Sequence, residues 1–241
     1  MPKLVGVVGG IGPAATVAFL DRIVKMTRAS RDQDHVNLVV SQYSATPDRT
    51  DFLLGKSDEN PGPALRASAQ MLERCGVDFL SVPCNTASFF MTKIARAVSI
   101  EVIGIVPETV ADVVRQYPNA QKIGVLATEG TARSHVYSDE LVLHGKTAVQ
   151  PRPTEQKQLN AIIYNQVKAN RPVDVATFHG VISSVFERCD VVILGCTELS
   201  VAHDLEPFTE RPVIDSLDSL ARSTILKAGH ELNRDSGPTG S

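Results

Sequence analysis

Short apolar runs alternate along this chain with longer segments in which apolar residues recur every three to four positions. The short runs predict strands at about residues 3–9, 36–42, 78–83, 101–105, 122–127, 147–151, 190–195 and 212–214. The longer segments predict helices at about residues 13–28, 60–75, 87–98, 107–117, 132–144, 155–169, 173–188 and 216–230. Apolar strands that alternate with helices are typical of a parallel sheet covered on both faces. The pattern therefore predicts an α/β fold.

The order of elements is repeated in the second half of the chain. Glu-Arg-Cys ends a predicted helix at Cys75 and again at Cys189, and the strand that follows leads to a second cysteine, Cys84 or Cys196. We therefore predict two similar Rossmann-like lobes with parallel sheets flanked by helices, related by internal pseudo-symmetry. Lobe one comprises residues 1–106 plus 215–232, and lobe two comprises residues 107–214. Ligands of open parallel sheets bind beyond the carboxyl ends of the strands, so the active site is expected in the cleft between the lobes.

Composition narrows the class of protein. The 241 residues are 43% apolar and 21% charged, with a net charge of −3 and no basic stripe, so no nucleic-acid partner is expected. No apolar run reaches the length of a membrane span. Four cysteines without a secretory signal fit free thiols in a reducing compartment, so we expect a cytoplasmic protein. Residues 233–241 are polar and rich in Gly and Pro, and we expect them to form a disordered tail.

Cys84 and Cys196 are the strongest candidates for chemistry. Each follows an apolar strand and precedes polar residues, so each thiol is expected beside the N-terminus of the next helix. Such a position lowers the pKa of a thiol from about 8.5 towards neutrality, which suits a group that accepts and donates protons. Cys75 and Cys189 lie before the strands, away from the cleft, and we interpret them as packing residues.

Other uses of these motifs are less well supported. The Gly9–Ala15 turn loosely fits a dinucleotide-binding pattern, but the second strand ends without the acidic residue that holds a ribose. The turn either faces a small anion or only allows close packing. No Cys-x-x-Cys motif occurs and the six histidines lack ligand spacing, so no metal is expected. Neither strand-end cysteine has a histidine in its motif to serve as a base.

Five stretches together resemble a known family. They are Pro83-Cys84-Asn85-Thr86, Gly195-Cys196-Thr197-Glu198, Gly9–Pro13, Thr46–Thr50 and Leu126–Thr131. This combination is similar to the aspartate/glutamate racemase superfamily, which works without pyridoxal phosphate, over about residues 3–230. The Pro-Asp-Arg-Thr stretch resembles its aspartate racemase branch. The resemblance implies no cofactor and a two-base mechanism, in which one cysteine removes the α-proton of an amino acid and the other returns a proton from the opposite face. It also implies a homodimer acting on a small acidic amino acid, aspartate or glutamate.

The resemblance assigns roles to individual residues. Cys84 and Cys196 are the implied catalytic pair, Arg49 the group that selects an acidic side chain, and Lys168 a second positive charge. The full set of implied substrate-binding residues is Arg49, Asn85, Thr86, Thr128, Thr131, Lys168, Thr197, Glu198, Gly10 and Ile11. Glu198 stands where the glutamate racemase branch has a histidine, which favours aspartate. Ile11 stands where the aspartate branch usually has methionine, so the resemblance does not define the pocket for the substrate side chain.

Several alternatives remain at this point. The scaffold also suits a glutamate or broad-specificity amino-acid racemase, a hydantoin racemase, a maleate isomerase or a malonate decarboxylase. Outside enzymes, it suits a two-lobed module that binds a dicarboxylate without converting it. We also expect the lobes to close on the substrate about hinges near residues 105–108 and 212–216, since closure excludes water from the reacting carbon.

Overall fold

Two four-stranded parallel sheets form the framework of the computed structural model, which describes residues 2–233. The first sheet has the order β2-β1-β3-β4, and the second has the order β6-β5-β7-β8. The strands are β1 Val5–Gly9, β2 Leu38–Gln42, β3 Phe79–Val82, β4 Glu101–Gly104, β5 Lys122–Leu126, β6 Thr147–Val149, β7 Val191–Leu194 and β8 Val213–Asp215. The predicted α/β fold with two similar lobes is confirmed, and β3 and β7 occupy equivalent places in the two sheets.

Helices cover both sheets. They are α1 Pro13–Met26, α2 Arg49–Leu53, α3 Gly62–Arg74, α4 Met91–Ala95, α5 Ile105–Gln116, α6 Glu129–Arg133, α7 Val136–Leu143, α8 Pro153–Asn160, α9 Val175–Phe186, α10 Thr197–Leu205 and α11 Ser216–Lys227. Short 3₁₀ helices lie at Asp32–Asp34 and Thr86–Phe90, and a π-helix at Ala161–Val167. Every residue of β1, β3 and β7 is buried, which explains why these strands are apolar without alternation.

The two lobes share part of their hydrophobic core. One buried cluster contains Val7 of the first sheet and Val125 of the second, together with Val110 of α5 and Leu220 of α11. Helix α11 packs against α1 and α5, so the end of the chain returns to the first lobe. The boundaries at residues 106/107 and 214/215 stay a prediction, and the shared cluster shows that the lobes are joined by packing as well as by the chain.

The predicted helices differ from the observed ones where backbone geometry interrupts the apolar period. The predicted helix 132–144 is two helices, α6 and α7, separated by His135 in the left-handed region at φ 58°. The predicted helix 87–98 begins as the 3₁₀ helix, and the predicted helix 155–169 continues from α8 as the π-helix. Helix α5 begins at Ile105, two residues before the predicted start and inside the predicted strand 101–105.

Two helices that position functional residues were not predicted. Helix α2 begins at Arg49 and spans only five residues, and α10 begins at Thr197 and spans nine. Short helices offer too few periodic positions to be recognised from apolar spacing alone. The expected tail falls outside the described residues, apart from Asn233.

The interpretation of Cys75 as a packing residue is wrong. Cys75 ends α3 and is exposed, because the chain turns sharply there into Gly76 at φ 79°. Its counterpart Cys189 is buried and donates a hydrogen bond to the carbonyl of Val185 at 3.3 Å. Within residues 2–233, no helix has both the length and the apolar character needed to cross a bilayer.

Candidate active site

Cys84 and Cys196 lie at equivalent places in the two lobes and line the same cavity. Each follows the last residue of its strand, Val82 of β3 or Leu194 of β7, by two positions. Both are almost fully buried, at 6% and 4% exposure. The cavity is small, about 10 Å³, and is lined by Ile11, Arg49, Cys84, Asn85, Thr86, Thr128, Lys168, Cys196, Thr197 and Glu198. Ten of the twelve predicted site residues therefore surround one cavity.

The surroundings of Cys196 favour the protonated thiol. Its sulfur donates a hydrogen bond to Oε2 of Glu198 at 3.0 Å, and the hydroxyl of Thr197 donates to the same oxygen at 3.3 Å. Burial raises the pKa of the Cys196 thiol well above its usual value, and the negative charge of Glu198 raises it further. The expectation of a lowered thiol pKa at this helix N-terminus is therefore wrong for Cys196, because desolvation and the adjacent carboxylate outweigh the helix.

The surroundings of Cys84 are electrostatically opposite. Arg49 is 8% exposed, and its guanidinium lies close enough to Cys84 for the two groups to interact. Burial lowers the pKa of Arg49, but Cys84, Asp48 and Glu198 outweigh burial and raise the value above its usual range. The two equivalent cysteines thus have different charged neighbours, Arg49 beside Cys84, and both Glu198 and Lys168 near Cys196.

Arg49 has capacity for a ligand. Its terminal nitrogen donates weakly to the carbonyls of Thr46 and Pro47, at 3.4 Å and 3.1 Å. Its Nε is buried and has no hydrogen-bond partner among residues 2–233. An unpaired buried donor costs about 1–3 kcal/mol, and a carboxylate in the cavity would remove that cost.

Lys168 reaches the cavity from the second lobe. It follows the π-helix directly, and its Nζ lies 4.4 Å from the ring centre of Tyr164 and 3.4 Å from Oδ2 of Asp48. Single π-helical turns are frequent at functional sites because they redirect the side chains that follow. Arg49, Lys168 and Glu198 also line a wider space of about 450 Å³ that opens outwards. These three charged side chains lie between that outer space and the cavity with the cysteines.

The glycine turn after β1 approaches the second lobe closely. Gly10 has φ 78°, and a Cβ added there would lie 2.4 Å from the backbone nitrogen of Tyr43. Gly12 begins α1, and a Cβ added there would lie 2.8 Å from Oε1 of Glu198. The anion that faces the N-terminus of α1 is therefore Glu198 of the chain itself. Gly10 lines the outer space, and Ile11 supplies an apolar wall of the cavity at 2% exposure.

Four threonine hydroxyls join the lobes beside the cavity. Thr86 Oγ1 lies 3.2 Å from that of Thr128 and 2.9 Å from that of Thr131, which is itself 3.1 Å from Thr128. Thr50 donates to Thr128 across the cleft at 3.1 Å. Thr128 also caps α6 by accepting from the backbone N–H of Thr131. The helix-capping and site-forming roles of Thr128 therefore coexist, and Thr131 lies behind the cavity wall.

Asn85 is held on both sides of its amide group. The hydroxyl of Tyr137 donates to Oδ1 at 2.6 Å, and Nδ2 donates to the hydroxyl of Ser216 at 3.0 Å. Neither Tyr137, Ser216, Thr50 nor Asp48 was predicted as a site residue from the sequence. Their positions depend on contacts between distant elements, and only Asp48 and Thr50 had a local signal, because they flank Arg49 in the Thr46–Thr50 stretch.

Two similar four-stranded parallel sheets, each with a buried thiol that faces a common cavity, define the class as a duplicated, two-lobed α/β scaffold. The family model for Asp/Glu/hydantoin racemases matches residues 8–224. The chain therefore belongs to the Asp/Glu/hydantoin racemase family and is an isomerase of the racemase superfamily.

Similar proteins agree with this assignment. A broad-specificity amino-acid racemase of Bacillus subtilis is 30% identical over 228 residues, which cover 92% of this chain and 96% of that protein. The structure of an aspartate racemase from Picrophilus torridus is 28% identical, covers 99% of this chain and 100% of its own, and superposes with a TM-score of 0.84. A glutamate racemase from Francisella tularensis in complex with D-glutamate, at 18% identity and a TM-score of 0.65, covers 95% of this chain and 82% of its own and shares the fold.

Proposed function

We propose that this protein interconverts L- and D-aspartate without a cofactor, by a mechanism in which one cysteine removes the α-proton and the other returns a proton from the opposite face. The observation that carries the proposal is the equivalent placement of Cys84 and Cys196 after β3 and β7, on the same cavity. Inversion of a carbon centre needs an acid/base group on each face of the substrate. A duplicated lobe supplies one such group from each side.

The chemical step is a pair of proton transfers. A thiolate on one face accepts the α-proton as the Cα–H bond breaks, and a thiol on the other face releases its proton to the carbanion. Each cycle leaves the first cysteine protonated and the second as thiolate, so the two product enantiomers leave different forms of the enzyme. Burial and the negative charge of Glu198 raise the pKa of the Cys196 thiol, so we infer that Cys196 carries its proton in the resting form.

The α-proton is weakly acidic, and the chain must stabilise the charge that develops on the substrate carboxylate. Hydrogen-bond donors fixed before the reaction are the usual means, and losing one such donor typically costs about 100- to 1,000-fold in turnover. Asn85, Thr86 and Thr197 line the cavity beside the two thiols, and Thr128 lies across from Thr86. We propose that these side chains bind the α-carboxylate.

Selection of an acidic side chain is assigned to Arg49, with Lys168 as a second cation. Arg49 has an unpaired buried Nε, and a guanidinium can bind a carboxylate through two parallel hydrogen bonds. Lys168 is already paired with Asp48, so it must exchange that partner to contact a substrate. The Bacillus subtilis relative is named a broad-specificity racemase, so broad specificity is the alternative. A Lys168 that stays paired with Asp48 and does not bind the substrate would be consistent with that alternative.

The test is chiral chromatography after incubation with each enantiomer of aspartate, glutamate and a panel of neutral and basic amino acids. Aspartate is expected to give the opposite enantiomer fastest, with deuterium from D₂O at the α-carbon. Fast conversion of neutral amino acids would replace aspartate specificity with broad specificity. No conversion and no α-deuterium with any amino acid would favour a binding module instead.

The two-cysteine mechanism is tested by Cys84→Ala and Cys196→Ala, with Cys75→Ala as the matched control. Each cavity variant should abolish racemisation, because one face then lacks its acid/base group. Cys75 is exposed and outside the cavity, so its variant should retain normal turnover. Near-normal turnover in either cavity variant would disprove the assignment.

The family resemblance supports a homodimer, and the four cysteines support a reducing compartment. We propose a homodimer in the cytoplasm, to be checked by light scattering of the purified chain and by cell fractionation. A monomer at micromolar concentration would contradict the first part.

A further inference from the structure

Tyr137 lies outside the sequence motifs of the site but contacts one of their residues. It belongs to α7 in the second lobe, is 2% exposed, and donates a hydrogen bond of 2.6 Å to Oδ1 of Asn85 in the first lobe. Asn85 directly follows Cys84 and lines the cavity. Tyr137 therefore reaches across from one lobe to the residue beside the thiol of the other.

The hydrogen bonds of Asn85 leave one donor free. Its Oδ1 accepts from Tyr137, and one Nδ2 hydrogen is donated to Ser216 at 3.0 Å. An amide group has two N–H donors, so the second Nδ2 hydrogen is the remaining donor of this side chain. The amide group is therefore held by a hydroxyl at each end, Tyr137 at Oδ1 and Ser216 at Nδ2.

Tyr137 is suited to hold this orientation at all working pH values. Burial raises the pKa of its phenol well above the usual value near 10, although the hydroxyls of Thr109 and Ser216 oppose that shift. The phenol therefore stays protonated. It keeps the proton that it donates to the oxygen of Asn85.

We propose that Tyr137 is a positioning residue, which sets the amide of Asn85 so that its free N–H is presented to the substrate carboxylate next to Cys84. This proposal rests on the proposed racemase function and adds to it a residue that acts through Asn85. Because Tyr137 comes from the other lobe, the donor is set only when the two lobes are together as in this structure.

The primary test is a double-variant cycle on α-proton exchange in D₂O and on racemisation. Tyr137→Phe removes only the hydroxyl, and a displaced donor is expected to lower kcat about 10- to 100-fold with little change in KM. In the Asn85→Ala background the same change should lower kcat less than about twofold, because its target is gone. Tyr117→Phe is the matched control, since its half-buried hydroxyl makes no hydrogen bond to residues 2–233.

Two kinetic outcomes overturn the proposal. One is near-normal turnover in Tyr137→Phe. The other is an equal loss from Tyr137→Phe with and without Asn85, which indicates a merely structural role.

A second measurement does not depend on activity. The side-chain amide signals of Asn85 in a ¹H–¹⁵N spectrum, assigned by their absence in Asn85→Ala, should shift in Tyr137→Phe and stay in place in Tyr117→Phe. Unchanged Asn85 signals in Tyr137→Phe overturn the positioning role. If the wild-type chain exchanges no amino-acid α-proton at all, the proposed function fails, and this spectrum alone decides whether Tyr137 sets the amide.

Discussion

Gly130 is a position where the two lobes approach each other tightly beside the site. It lies in α6, and a Cβ added to it would lie 2.8 Å from both Cα and Oγ1 of Thr50 and 3.0 Å from its Cβ. The Cα and Cβ of Thr50 are fixed by its backbone. A change of side-chain rotamer therefore cannot move them away from the added methyl group. Gly130→Ala therefore forces the lobes apart or distorts α2.

The size of that displacement follows from the distances. Carbon atoms in ordinary contact are roughly 3.5–4.0 Å apart, so Thr50 must move by roughly 0.7 Å or more. A movement along the Thr50–Thr128 hydrogen bond would lengthen it from 3.1 Å to roughly 3.8 Å, beyond hydrogen-bonding range. Overpacking of this kind costs about 1–3 kcal/mol, or roughly 2–12 °C in Tm for a chain of this size.

Gly130→Ala should lower racemase activity by more than its loss of folding stability alone would cause. Thr128 bonds to Thr86 as well as to Thr50, so the displacement reaches the wall of the cavity. Misplacement of a group that positions the substrate by about 1 Å can lower the reaction rate roughly 100-fold. We therefore expect Gly130→Ala to lower kcat/KM for racemisation at least about tenfold.

The assays are thermal unfolding and steady-state racemisation, with Gly180→Ala as the matched control. Gly180 lies in α9, and a Cβ added there meets nothing within 4 Å. Its variant should gain about 0.5–1 kcal/mol from the better helix propensity of alanine and keep full activity. If Gly130→Ala is as stable and as active as Gly180→Ala, the close approach of the lobes is not a constraint and the reasoning is wrong.

Three further substitutions test the charges. Burial is the largest cause of the raised pKa of Cys196, and the charge of Glu198 is the next, which Glu198→Gln removes. The alkaline limb of the pH profile of kcat/KM should therefore move to lower pH in this variant. An unchanged alkaline limb contradicts this role of Glu198. Arg49→Lys should raise the KM for aspartate at least about tenfold, because a lysine cannot reproduce a two-point bond to a carboxylate; unchanged KM in steady-state kinetics would assign side-chain selection elsewhere. Burial raises the pKa of Glu155, but its bonds to Arg188 dominate and lower it from 4.5 to about 2. Glu155→Gln should therefore cost on the order of 3 kcal/mol at neutral pH in urea unfolding, and this difference should shrink as the pH falls from about 4.5 to about 2; a pH-independent difference would count against the ion pair.

The fold was predictable because buried parallel strands leave a strong local signal. Eight apolar runs correspond to the eight strands, and the repeated Glu-Arg-Cys segment indicates the duplication from the sequence alone. Helix boundaries were less predictable where the backbone departs from the α-helical period. The left-handed His135 and the π-helix at Ala161–Val167 depend on tertiary packing, which apolar spacing does not record.

The site was predictable only as far as its residues are local to a strand end. Cys84 and Cys196 could be located from their own neighbours, and the family resemblance brought in Arg49 and Lys168. Tyr137 could not be found in this way, because nothing near it in the sequence shows that it faces Asn85, 52 residues away. Residues that contact each other across the cleft between the lobes have no regular spacing in the sequence.

The duplication explains why two thiols face one cavity, and the departures from it explain how they can act differently. Symmetry alone would give both cysteines the same proton affinity, and the resting enzyme would then be a mixture of forms. Arg49 comes from the helix after β2 and Glu198 from the helix after β7, so the two charges come from non-equivalent elements. A two-base mechanism needs one thiol protonated and the other deprotonated before each turnover, and unlike surroundings favour one of the two possible forms. The charges that break the symmetry are therefore as much part of the proposed mechanism as the symmetry that places the thiols.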